Sequence, residues 1–154
     1  MLDKVKRFFD TYVMSAGGAS EDTEHQLRLA AAALLVEMMS QDHQVHETEI
    51  KTVRQALLEH LELTEKELDE VYALAKDAKQ KATDYHQFTR LIAEHYTQDK
   101  KVHLIELLWQ VAYADGELNR YEEQMVRKIC DLIHVSHKDY IQTKHRAEML
   151  LEEK

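Results

Sequence analysis

The 154-residue sequence contains no proline, three glycines and one cysteine. Average usage is about 5% Pro and 7% Gly. All-β sandwiches and barrels need many turns, and turns draw on Gly, Pro, Asn and Asp. No β-branched runs of the kind that build a βαβ unit appear either. What is left is an all-helical fold. Cys130 alone allows no internal disulfide and fits a reducing compartment. The longest apolar run, Leu29 to Val36, has eight residues. A membrane-spanning helix needs about 20. The opening MLDKVKRFFD has no apolar stretch of secretory type, so a cytoplasmic protein is expected. Positive charge is also short, with 20 Lys+Arg against 29 Asp+Glu, a net charge of −9. Such a surface repels phosphates and argues against nucleic acid as a partner, while attracting cations.

What is present is helical periodicity with clear punctuation. Leu2, Val5, Phe8, Phe9 and Val13 form an apolar face flanked by Lys4, Lys6 and Arg7. This first helix is expected either to dock on the core or to lie on a membrane surface. Ser15 to Ser20, with Gly17 and Gly18, reads as a joint, so residues 1–20 are set apart from a domain over 21–154. Thr23 with Gln26 predicts a helix start, and the Ala30–Ala33 run places that helix centrally. Further starts are predicted at Thr64 with Glu67, Asp84 with Gln87, near Asp99, at Asn119 with Glu122, and at Ser136 with Asp139. With a helix after the polar turn at 42–46, the total is eight.

The sequence also repeats itself. Asp42, Glu49, Val53 and Arg54 match Asp115, Glu122, Val126 and Arg127, each 73 apart. Leu63-Thr64-x-Lys66-Glu67 matches Val135-Ser136-x-Lys138-Asp139, each 72 apart. The slip of one residue is expected in the turn before Thr64. Two helical repeats, about 27–81 and about 100–147, are therefore expected around a pseudo-twofold axis in one core.

The second acidic turn reads Ala114-Asp115-Gly116-Glu117-Leu118-Asn119-Arg120-Tyr121-Glu122. This A-D-G-x-L-x-x-x-E string, with its degenerate first copy, resembles the TerB-like family of tellurite-resistance proteins, over about Thr23 to Ala147. The resemblance implies an all-helical bacterial cytosolic domain tied to tellurite and general stress response. It also implies an acidic surface that binds divalent cations, and protein partners associated with the inner membrane face. In the first copy, Gln41 and His43 replace the Ala and Gly of the motif.

The string also matches the second half of an EF-hand loop. The first half fails, because Val111 and Tyr113, or Met38 and Ser40, stand where oxygen ligands belong. The candidate ligands are thus Asp115, Glu117, Glu122, Asp42 and Glu49, a weak oxygen site suited to Ca²⁺, Mg²⁺ or Mn²⁺. The competing reading makes them helix caps, with Glu122 closing a capping box on Asn119. His43 and His46, beside Asp42, Glu47 and Glu49, form a further candidate for a transition metal. Cys130 falls on the apolar stripe Val126-Ile129-Cys130-Ile133 and reads as a buried thiol. No phosphate loop, nucleophile elbow or HExxH zinc motif is present. The expectation is a non-enzymatic module with no organic cofactor and no small-molecule substrate.

Overall fold

The computed structural model describes residues 20–40, 47–81, 87–114 and 116–152. Over these residues the chain is helical, with no strand. The helices are α1 (Ser20–Ser40), α2 (Glu47–His60), α3 (Glu65–Lys81), α4 (Gln87–His95), α5 (Gln98–Ala112), α6 (Arg120–Ile133) and α7 (His137–Glu152). Seven helices are therefore seen among the described residues. The eighth expected one, at the N-terminus, lies outside them.

Helix α1 is the hub. Leu27, every residue from Leu29 to Val36, and Met38 and Met39 are buried. A helix that is apolar all round must be enclosed on all sides. It packs against α3, α4, α5 and α6. Ala30 to Ala33 remove side-chain bulk, which lets those neighbours approach. Helix α5 is the second hub, packing against α1, α2, α6 and α7 and burying Leu104, Ile105, Leu107, Leu108 and Trp109.

The order of elements follows the sequence repeat approximately. Helices α2 and α6 both have 14 residues and begin 73 apart, at Glu47 and Arg120. Four residues then connect α2 to α3, but only three connect α6 to α7. The one-residue slip sits in that linker, where a surface turn absorbs it without shifting a buried face. Glu62 and His134 adopt positive φ, 54° and 68°, in the two linkers. Each precedes a buried aliphatic residue, Leu63 or Val135. The copies differ elsewhere. Helix α1 is 21 residues long against 15 for α5, and α4 stands between the two units.

Several helix starts fall where the sequence places them. Thr64 and Glu67 form a full capping box: the Thr64 N–H donates to Glu67 Oε1 (2.9 Å), and the Glu67 N–H donates to Thr64 Oγ1 (3.1 Å). Ser136 Oγ caps α7 by accepting from the Asp139 N–H at 3.1 Å. Two starts differ. Helix α1 begins at Ser20, so Thr23 lies inside it rather than capping it. Thr97, not Asp99, caps α5 through Oγ1. The expected start at Asp84 lies outside the described residues, and α4 is capped from afar. The half-buried Glu37 carboxylate of α1 accepts from the Phe88 N–H (2.8 Å) and the Thr89 N–H (3.0 Å).

Cys130 is buried, as its stripe position requires. Burial first, then the charges of Asp131 and Asp139, push its thiol up to about 12. The raised value means that the folded state holds the proton after the unfolded chain has lost it. This contribution to stability is complete below about pH 8.5–9, the range of a free thiol, and is lost as pH rises towards 12. The native protein at pH 8 should leave Cys130 unmodified by a disulfide reagent, and denaturant should release one reactive thiol. Rapid labelling of the native chain would contradict this.

Candidate acidic-turn site

The second acidic turn is built by α5 overrunning its end. The Tyr113 N–H bonds the Trp109 carbonyl, the Ala114 N–H bonds Val111, and the Gly116 N–H bonds Tyr113 at 2.9 Å. The Asn119 N–H then closes the loop on the Ala112 carbonyl, also at 2.9 Å. Gly116 has φ +84°, where an L side chain is strained, although an added Cβ would meet nothing within 4 Å. The demand for glycine here is conformational. His43 occupies the matching place in the first copy and lies outside the described residues.

Asn119 Oδ1 accepts the Glu122 N–H at 3.0 Å and caps α6. The reciprocal half of the expected capping box is not made there, because the Asn119 N–H is spent on Ala112. The Glu122 side chain is therefore not the closing half of a capping box. It is only 3% exposed, on the buried face of a helix otherwise lined by Met125, Val126 and Ile129.

A cleft of about 330 Å³ opens between this turn and α2. Glu117, Asn119 and Glu122 line one side, and Lys51, Glu59 and His60 are on the other. Of the five candidate ligands, the structure brings Glu117 and Glu122 to one cleft. Glu117 is exposed. Glu49, the first-copy counterpart of Glu122, is half-buried on the first turn of α2 and is not among the lining residues. Its Oε2 is buried and has no hydrogen-bond donor among the described residues. Asp42, Asp115, His43 and His46 lie outside the described residues. Among the described residues, no three His, Cys, Asp or Glu side chains stand together as a metal set.

Sequence reasoning missed Glu59 and His60. They end α2, more than 50 residues before the turn they face, and only the packing of α2 on α5 brings them there. The acidic turns, the repeat and the helical core coincide with a known family. The family model "Tellurite resistance protein TerB" matches residues 28–145. The chain belongs to the TerB family. No curated protein and no solved structure gives a match. Both TerB-like acidic turns fall inside the matched span, and the N-terminal amphipathic stretch falls before it. No helix among the described residues is long and apolar enough to cross a membrane.

Proposed function

We propose that this TerB-family chain is a non-enzymatic stress-response module whose acidic turns hold a divalent cation weakly and whose acidic surface meets protein partners at the inner membrane face. The observation that carries the cation reading is Glu49 Oε2, a buried carboxylate oxygen with no donor among the described residues. Burying such a group without a partner is costly, and a cation supplies the missing interaction. Glu122, 73 residues later, also stands on the first turn of its helix and lines a cleft with Glu117. Carboxylates of this kind suit hard ions such as Ca²⁺, Mg²⁺ or Mn²⁺. The Asp42 and Asp115 side chains are assigned the remaining oxygen ligands.

The second reading, a protein–protein scaffold whose turn residues only cap helices, is favoured by the Asn119–Glu122 bond. It leaves the buried Glu49 oxygen unexplained. The His43/His46 transition-metal reading has no support from the described residues.

Titration calorimetry separates the readings. With half an EF-hand loop missing, Ca²⁺ or Mn²⁺ should bind at about 10⁻⁴–10⁻³ M, the range of low-affinity modules. Gly116 makes the second turn the better loop, so Asp115→Asn should weaken binding more than Asp42→Asn. Equal effects would show that the glycine is immaterial, and no heat from either ion would leave the capping reading.

A further inference from the structure

Leu150 and Met149, neighbours near the end of α7, are 55% and 61% exposed, the two most exposed large apolar side chains among the described residues. Leaving them in water forfeits burial worth having. Beside Leu150 lies a groove of about 480 Å³ between α5 and α7, lined also by Tyr113 and Ala147, with the ring of Trp109 behind them. The groove adjoins the acidic cleft, with which it shares His60 and Ala114. Its own charges cancel. Among the described residues, Glu106 and Arg146 are the charged pair in its lining, joined by Arg146 Nη1 and Glu106 Oε1 at 3.0 Å. The Arg146 side chain is 60% exposed, so most of its donors still face water. An apolar projection, an apolar recess and one charge of each sign thus stand side by side on a single surface.

We propose that a second copy of this chain covers this surface, related by a twofold axis, with Leu150 of each copy seated in the groove of the other and Arg146 of each facing the partner's Glu106. A twofold contact uses the same patch on both copies, so the patch must complement itself. This one does: projection and recess are adjacent, and so are a cation and an anion. Charge selects the place. The chain carries a net −9, so two copies repel over most approaches. The groove, balanced in charge, is where they meet without that penalty, and the crossed Arg146–Glu106 contacts fix the register. Size sets the strength. Helix α7 has 16 residues and is about 24 Å long. With α5 packed about 10 Å away, the face is roughly 20 Å wide. An outline of roughly 500 Å² per copy lies at the low end of specific interfaces. The dimer should therefore be weak, half-formed at a chain concentration on the order of 10–100 μM. No bound cation enters this contact.

Sedimentation equilibrium of the full chain, from about 5 to about 500 μM, brackets that strength. The average mass of wild type should rise from one chain towards two. Leu150→Glu, at an exposed site that the core does not need, buries an unpaired charge in the contact and should raise the dissociation constant roughly tenfold or more. It should leave the melting temperature of the dilute chain unchanged. Charge reversal tests the register. Glu106→Arg gives a copy with two cations at the groove and Arg146→Glu a copy with two anions, so each alone should stay a single chain. Mixed one to one, they should pair, since every crossed contact is again between unlike charges. Adding Leu150→Glu to both should abolish that pairing. A wild type of single-chain mass at every concentration overturns the proposal. A dimer that keeps its dissociation constant in all three variants overturns it too, because the copies then meet elsewhere. A mixture that stays single-chain overturns the crossed pairing. A single-chain wild type in which Leu150→Glu lowers the melting temperature assigns the surface to another part of the same chain instead.

Discussion

Trp109→Ala should lower the melting temperature by on the order of 10 °C. Trp109 is fully buried in α5, with Tyr140 edge-on at 5.3 Å between ring centroids. Truncating so large a core side chain costs about 3–5 kcal/mol. Each kcal/mol shifts the melting temperature of a domain this size by about 2–4 °C. The indole also spans two helices: its Nε1–H donates to Thr143 Oγ1 at 2.9 Å, and that hydroxyl donates back to the Asp139 carbonyl at 2.8 Å. Thr143→Val keeps the shape and removes the acceptor, leaving a buried N–H unpaired at a cost of about 1–3 kcal/mol. The two losses share one hydrogen bond, so the double variant should be less unstable than their sum. Additivity in thermal or urea melts would show that the α5–α7 bond contributes nothing.

Glu37→Leu should cost about 2–6 kcal/mol, because it strips acceptors from two N–H groups at the start of α4 at about 1–3 kcal/mol each. The loss should be local. Amide exchange of residues 88–92 should accelerate well before the rest of the core opens, since α4 has only nine residues and packs on α1 and α6. Glu37→Gln retains one acceptor oxygen and should fall between the two. Uniform loss of protection across all helices would show that Glu37 acts on global stability and not as the cap of α4.

Much of this fold is written in local spacing, and the misses share a cause. The α6 and α7 starts are legible because Asn119 and Ser136 act within three residues of themselves. The cap of α4 is illegible because its acceptor, Glu37, is 51 residues from Phe88. Thr97 and Asp99 both offer an oxygen near the α5 start, and only the chain's path decides between them. The same limit applies to the site. The A-D-G-x-L-x-x-x-E string marks the turn, yet the Asn-x-x-Glu spacing suggests a reciprocal box that the tight loop prevents, since Ala112 claims the Asn119 N–H. Glu59 and His60 join the cleft through the packing of α2 on α5, for which no spacing rule exists.

The most direct test of the cation reading is the melting temperature of wild type and Glu122→Gln, each with and without Ca²⁺, Mg²⁺ and Mn²⁺ at about 10–100 mM, 100 times the expected Kd. The Asn119 cap uses the backbone N–H of residue 122, so the substitution leaves it in place. Wild type should gain about 2.7 kcal/mol at 100 times Kd. At 2–4 °C per kcal/mol, that is a rise of about 5–10 °C with at least one of the three ions. Glu122→Gln should melt near the metal-free wild type and rise little. A wild-type melting temperature unmoved by all three ions would contradict the account and leave the acidic turns as helix caps.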